Sequence, residues 1–406
     1  MPGPLSHIRV LELSRVLAGP WAAQNLADLG AEVIKIERPG IGDDTRKWGP
    51  PFLKDEAGAE TAETAYYLSA NRGKKSVTVD LATLRGQELV RLLARQCDVV
   101  IENFRVGGSA RFGLDYESLA PTNPGLVYCS ITGFGQDGPY KDRGGYDYII
   151  QAMGGLMSIT GERDDKGGGP QKVGLAISDL FTGMYATVAI NAALVHRERT
   201  GAGQYIDLAL LDSTAAMLSM MATNYFASGT APGRMGHAHP NVAPYQLFET
   251  ADKPIVVAIG NDGQFARLCA AIGEPALAQD PRFSTNADRV ANRDALAQVL
   301  ATALGRRSGT EWLAAFAEAI IPCGPVNSIA QVFDDPQIRH RGMKVELPHA
   351  TAGTVAQSGS PMRLSATPVS YTHAAPVLGE HTDQVLADRL GMSADAIEAL
   401  RADGVI

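Results

Sequence analysis

Apolar positions along this chain recur with two periods, and the alternation between them gives the first expectation of architecture. Residues 8–13 (IRVLEL) read as a strand. Gly19-Pro20 then opens a helix in which Leu26 and Leu29 face inward. Gly30 ends it, and 31–37 (AEVIKIE) is a second strand. Proline suits a helix start because the N–H it lacks would be unpaired there anyway. A β-α-β unit implies parallel strands joined by a right-handed crossover. Residues 76–81 (SVTVDL), 98–103 (DVVIEN) and 126–132 (LVYCSIT) read as further strands, with a helical pattern over 83–96. Strands alternating with helices predict an α/β fold around a parallel sheet.

The longest helical pattern follows Val173. Leu180, Met184, Val188, Ala192 and Val195 recur at three- and four-residue steps, which predicts an amphipathic helix with that stripe inward. His196, Arg197 and Arg199 close it, with Gly201 as a cap. Asp179 falls at its first position or N-cap. There the carboxylate would face unpaired N–H groups and the positive end of the helix dipole, which favours the ionised form. A capping acid and an ionised nucleophile both fit this window. Residues 146–157 and 210–228 read as helices, and the charged, glycine-rich 160–171 as a surface loop. Residues 38–75 form a long connection. Trp48, Phe52, Tyr66 and Tyr67 give it something to bury, which favours an ordered active-site loop over a disordered one.

After residue 234 the pattern changes. Strands near 245–249 and 254–259 and helices near 262–272, 292–305 and 309–320 predict a smaller α+β module. IPCGPVNS (321–328) reads as a linker. Two short strands (KVELPH, GTVAQSG) and a terminal helical region follow. The expected division is 1–225 for a large domain, 226–330 for the small one, and 331–406 for a segment returning to the first.

Composition narrows the chemistry. The chain has 406 residues, 45% of them apolar and 20% charged, with a net charge of −8, which argues against a general nucleic-acid or anionic-membrane binder. The four cysteines form no CxxC pair, so neither a zinc framework nor a disulfide scaffold is indicated. The N-terminal segment lacks a signal-like pattern and no unbroken apolar run approaches 18 residues, so a cytoplasmic location is expected. There is no Walker loop, no GxSxG elbow and no nucleophilic-cysteine signature. His237 and His239 flank a single alanine without a third ligand nearby, so no metal site is expected. Glu37 ends the second strand where a nicotinamide domain keeps its ribose-binding acid, yet the first turn reads SRVLAGPW rather than GxGxxG. Arg38, Arg72, Lys74, Lys75, Arg105 and Arg111 all fall at or just past expected strand ends. Ligands of open parallel sheets bind there, so the cluster suggests a polyphosphate ligand. Scattered solvated charges are the alternative.

A set of segments in order then resembles the family III (CaiB/BaiF) CoA-transferases over nearly the whole chain. They are 10–46 (VLELSRVLAGPW through GIGDDTR), NRGKKSVTVDL, DVVIENFRVGG, LVYCSITGFGQDGP, GGYD, the Asp179 segment, TGAGQYIDLALLD, IPCGPVNS and PVLGEHTD. The resemblance implies a Rossmann-like parallel-sheet large domain plus a smaller α+β domain, in a homodimer of interlocked rings. It implies that Asp179 is the nucleophile, forming a mixed anhydride and then an aspartyl-CoA thioester. It implies CoA contacts at Val16, Ala18, Arg38, Asn71, Arg72, Lys74, Asn103, Phe104, Arg111 and Tyr146, with acyl-CoA and a carboxylic acid as substrates and no tightly bound cofactor. Gly144, Gly145 and Asp147 are candidates around the reacting carbonyl.

Leu17 stands where the formyl-CoA transferase branch has glutamine, which argues against oxalate and formate. Tyr146 stands where the related racemases have histidine, which removes one of their two proton-transfer groups. The GDDTRKWGPPF, AYYLSANRGKKS and HPNVAPYQ segments are most similar to the branch that includes succinyl-CoA–glutarate CoA-transferase. A second substrate carboxylate would need a cation, with Arg46, Arg234, His237 and His239 as candidates. An acyl-CoA racemase and a non-catalytic CoA-binding protein are the competing readings.

Overall fold

The computed structural model describes residues 2–406 and divides them into two compact units. The first is built on six parallel strands: β1 (Arg9–Glu12), β2 (Glu32–Glu37), β3 (Lys74–Thr78), β4 (Val99–Glu102), β5 (Val127–Thr132) and β6 (Gln204–Ala209). Their spatial order is β3-β2-β1-β4-β5-β6. The chain builds outward from β1 in one direction, then returns to its other side. This is the doubly wound arrangement, and its switch point lies between the carboxyl ends of β1 and β4.

Both faces of the sheet are covered, as a parallel sheet requires. On one face Val10, Val33, Val99, Ile101, Val127 and Cys129 pack against helices α1 (Ala18–Asp28) and α4 (Ile177–Thr200). On the other, Leu11, Ile34, Val77 and Val100 meet α2 (Leu84–Ala94) and the C-terminal residues Val385, Leu386, Leu400 and Val405. Burial of each such side chain is worth roughly 1.5–3 kcal/mol.

Among the described residues the first unit comprises 2–156, 173–222 and 336–406, and the second comprises 157–172 and 223–335. The glycine-rich 160–171 stretch thus belongs to the second unit, where Arg163 pairs with Asp294. The second unit holds a three-stranded antiparallel sheet of β7 (Tyr245–Phe248), β8 (Ile255–Ala258) and β9 (Cys323–Pro325), with β8 central. Its helices span Asp262–Ala271, Arg293–Leu304 and Gly309–Glu318. The segment expected as a plain linker therefore contributes an edge strand, which tolerates its proline because one side needs no partner.

Three local expectations are corrected. The apolar pattern over 210–228 is two helices, α5 (Leu210–Met217) and Ser219–Ser228, broken where Ser219 takes φ 44°. The helix expected over 146–157 ends at Met153. The buried face of α4 is Thr182, Gly183, Ala186, Thr187, Ile190, Ala193 and Leu194 rather than the stripe of larger residues, and Met184, Tyr185, Val188 and Val195 are exposed. Close approach to α1 explains the choice. A Cβ on Gly183 would lie 2.6 Å from the Ala18 carbonyl oxygen. By length and hydropathy α4 could cross a membrane, but its small-residue face packs within this unit.

The 38–75 connection is ordered. It contains a 3-10 turn at Asp44–Lys47, a hairpin of Phe52–Lys54 with Glu60–Thr64, and a short helix, Ala65–Ala70, capped by the Thr64 hydroxyl.

Candidate active site

Asp179 sits in the first turn of α4, at the third residue rather than the first or the cap, and its side chain caps nothing. The cap comes from Asp147, the first residue of α3 (Asp147–Met153). One Asp147 carboxylate oxygen accepts the Ser178 N–H at 2.8 Å and the Asp179 N–H at 3.3 Å. The other accepts from Gln151 Nε2 at 2.6 Å. Gln151 is fully buried, donates to the Leu175 carbonyl at 3.1 Å and accepts the Val173 N–H at 2.9 Å. Asp147 and Gln151 together therefore fix both the approach to α4 and its first turn.

This arrangement reverses the expected electrostatics of Asp179. Burial first, and the Asp147 charge second, push its carboxyl up to about 7. The dipole does not leave it an ordinary ionised acid. Tyr66, on the short helix Ala65–Ala70, feels the same pair. Burial, then the charges of Asp179 and Asp147, push its phenol up to about 12, so it is a neutral hydroxyl beside two acids. Trp48 packs edge-on against its ring, centroids 5.2 Å apart. The sequence marks Tyr66 only as something for a loop to bury.

The Gly144-Gly145 turn that precedes Asp147 lies against the end of β5. A Cβ on Gly145 would fall 2.4 Å from Gly133 Cα, and the converse contact is 2.6 Å. Backbone-on-backbone contact of this kind admits only glycine on both sides. No described hydrogen bond claims the amide N–H of Gly144 or Gly145.

At the switch point, the turn after β1 is held by polar clamps. Asn103 brackets Arg15: its Oδ1 accepts the Arg15 N–H at 2.9 Å and its Nδ2 donates to the Arg15 carbonyl at 2.7 Å. The buried Asp43 accepts the Val16 N–H at 3.2 Å and is paired with Lys35 at 3.0 Å. Between these clamps Val16 takes φ 72°, a strained conformation for a β-branched residue. Ala18 begins α1 and is buried, its carbonyl oxygen lying against Gly183 of α4. Phe104 follows Asn103 and packs on Phe112. Its N–H donates to Glu102 at 2.7 Å, and burial pushes the Glu102 carboxyl up to about 7. A cavity of about 260 Å³ lies beside the segment that follows β4, lined by Glu102, Arg105, Tyr116, Tyr128, Gln136 and Tyr205.

The expected cation cluster separates into two kinds. Arg38 and Arg111 are exposed, and neither enters a described ion pair. Arg105 is exposed too, with a guanidinium nitrogen 3.8 Å from where a Cβ on Gly144 would stand. Arg72 is buried, clasped by both Asp28 oxygens at 2.8 and 2.6 Å, and donates to the Ser358 carbonyl. Lys74 is wholly buried among the Glu12 carboxylate, the Pro20 carbonyl and the Asn71 side chain, and burial lowers its amine to about 8. Asn71 is buried and occupied by Lys74 and the Tyr67 carbonyl. Lys75 pairs with Glu32. Arg72, Lys74 and Asn71 thus hold the scaffold rather than reach a phosphate through their side chains. The strand that carries Lys74 and Lys75 starts with them, so they lie at its amino end rather than at the carboxyl ends where a ligand is expected.

Arg46 also leaves the list of cations free for a substrate. It is buried, makes a two-pronged pair with Glu37 at 2.8 and 2.8 Å, donates to Glu63 and stacks 3.7 Å over Tyr67. Arg234, His237 and His239 lie in the second unit. Arg234 pairs with Asp164, His239 accepts the Asn241 N–H and packs on Tyr245, and His237 is exposed. Tyr146 is the N-cap residue of α3 and is 66% exposed.

Comparison with known proteins supplies what geometry alone leaves open. The family described as CoA-transferase family III matches residues 5–382. A succinate–glutarate CoA-transferase of Agrobacterium fabrum is 53% identical over 386 residues, covering 95% of each chain. The succinyl-CoA:glutarate CoA-transferase of Mus musculus is 44% identical over 403 residues, covering 99% of this chain and 90% of its own. The crystal structure of a CaiB/BaiF family protein from Brucella suis superposes with a TM-score of 0.84 at 48% identity, covering 96% of this chain and all of the other.

Proposed function

As the chain belongs to CoA-transferase family III and is a CoA-transferase, we propose that it moves CoA from succinyl-CoA to a short dicarboxylate such as glutarate, through an acylated Asp179. The names of the similar transferases support the substrates. One observation supports the mechanism: Asp179 stands in the first turn of α4, where burial first and the adjacent Asp147 carboxylate second make it an unusually basic acid.

A basic carboxylate suits the chemistry. One Asp179 oxygen attacks the thioester carbonyl carbon, the C–S bond breaks, and sulfur leaves with the electron pair as CoA thiolate. The product is a mixed anhydride as activated as the thioester, whereas a serine ester would lose that activation. The thiolate then attacks the Asp179 carbonyl, gives an aspartyl-CoA thioester and frees the first acid. The incoming dicarboxylate repeats both steps in reverse. The unclaimed Gly144 and Gly145 amides and the neutral Tyr66 hydroxyl are donors for the oxyanion that develops at each carbonyl.

In this reading CoA lies along the switch point, against the Val16–Ala18 turn, Asn103, Phe104 and Tyr146, with Arg38 and Arg111 for its phosphates. Asn103 acts there by holding Arg15 rather than by its own side-chain hydrogen bonds. Arg105, exposed beside Gly144, is the cation offered to the second carboxylate of the substrate. The working form is a homodimer with interlocked chains, supported by the large apolar residues that α4 leaves exposed. A reducing cytoplasm is its compartment, supported by four cysteines that are all free thiols.

The test is a panel of carboxylic acids offered with succinyl-CoA. Glutarate and neighbouring dicarboxylates should be converted to their CoA thioesters at least ~10-fold faster than monocarboxylates of equal length, and loss of that preference after Arg105→Ala would support the cation assignment. Equal rates for acids with and without the second carboxylate would remove the dicarboxylate reading.

A further inference from the structure

We propose that Asp147 is a positioning residue for the transfer reaction: one of its oxygens fixes the first turn of the nucleophile's helix, and its negative charge repels the one that acylation of Asp179 removes. The inference rests on the reading that Asp179 becomes acylated.

Three observations support it. Asp147 reaches α4 from 32 residues away in sequence and accepts two of the backbone N–H groups that a helix start leaves unpaired, at 2.8 and 3.3 Å. It is held for this by the fully buried Gln151, which also ties the Val173–Leu175 approach to α4. Its own loop is seated by the Gly133–Gly145 contact, which admits no side chain. A cap alone needs only a hydroxyl or an amide oxygen. A second acid beside an acidic nucleophile adds like-charge repulsion, which disfavours the free Asp179 carboxylate and disappears when that carboxylate becomes a neutral anhydride or thioester. The charge departs on the CoA thiolate or on the released acid. The repulsion therefore favours the covalent intermediates over the free enzyme. Around Asp179 the titratable groups are Asp147 from α3 and Tyr66 from the Ala65–Ala70 helix. Tyr66 is uncharged in the working range, so Asp147 supplies the charge.

Asp147→Asn tests this, because its amide oxygen can keep accepting the two N–H groups while the charge is lost. The sign follows directly. Without the like charge, Asp179 ionises at lower pH, so the acidic limb of kcat/KM moves down by about one pH unit. The plateau of kcat should fall by roughly 10–100-fold. Gln151→Leu disturbs the support without touching the charge, and should lower kcat while leaving the limb in place. A limb unmoved in Asp147→Asn, or moved equally in both variants, would overturn the assignment. Should Asp147→Asn fail to fold, Asp147→Ser keeps a hydroxyl acceptor for the two N–H groups while removing the charge. In difference infrared spectra without substrate, the protonated-carboxyl band that vanishes in Asp179→Asn should titrate about one pH unit lower in Asp147→Ser than in wild type, and an unmoved band would overturn the inference. The acylation reading fails on a separate observation, transfer that survives in Asp179→Ala.

Discussion

Side chains of the same type divide here by where their partners come from. Arg38 and Arg72 read alike in the sequence, each a cation near a strand. Arg38 is solvated at the carboxyl end of β2, while Arg72 is 4% exposed and clasped by Asp28, 44 residues earlier. Arg38→Ala should raise the KM for the CoA ester about 10-fold with kcat and thermal stability little changed, by loss of one charge-assisted phosphate contact. Arg72→Ala leaves Asp28 buried and unpaired, which costs roughly 3–5 kcal/mol and appears as a lowered unfolding temperature rather than as a KM effect. Steady-state kinetics and a thermal scan on both variants separate the two roles, and the reverse pattern would refute them. The same limit governs Asp179. Its segment stands out in the sequence because it belongs to a recognisable ordered set. That Asp147 provides the cap and the neighbouring charge depends on a contact between two helices, which no local pattern encodes.

At the scale of the element, periodicity located α4 within a few residues but chose the wrong inward face. Hydrophobicity favours Leu180, Met184, Val188, Ala192 and Val195. Packing favours small residues, because the backbones of α1 and α4 come close enough for Gly183 to touch the Ala18 carbonyl. The stripe of larger residues left exposed is the stretch of α4 suited to a second chain. Val188→Asp with Val195→Asp should shift sedimentation from a species of about twice 43.0 kDa to one of about 43.0 kDa at micromolar concentration. A dimer that survives both charges would place the interface elsewhere. Within the 38–75 connection, the aromatic residues signalled order. The 3-10 turn, hairpin and short helix that deliver it depend on Arg46, Glu37 and Thr64 finding partners along the chain.

At the scale of the molecule, β-α-β alternation was enough to predict a parallel α/β fold. Strand order was not, since nothing local says that β4 returns to the free side of β1. That order creates the switch point, where the strained Val16 turn, Asn103 and Phe104 meet. The passage of 157–172 into the second unit was equally hidden, because its composition reads as loop in either setting. The central claim, that the fold exists to present one carboxylate for acylation, has a direct measurement. Wild-type enzyme is incubated with succinyl-CoA, quenched with borohydride, digested with trypsin and analysed by mass spectrometry. The peptide 173–197, which ends at Arg197, should carry its aspartate reduced to the alcohol at residue 179, and the Asp179→Ala enzyme should show neither the product nor transfer. An unmodified peptide from enzyme that is turning over, or undiminished transfer by Asp179→Ala, would contradict the account.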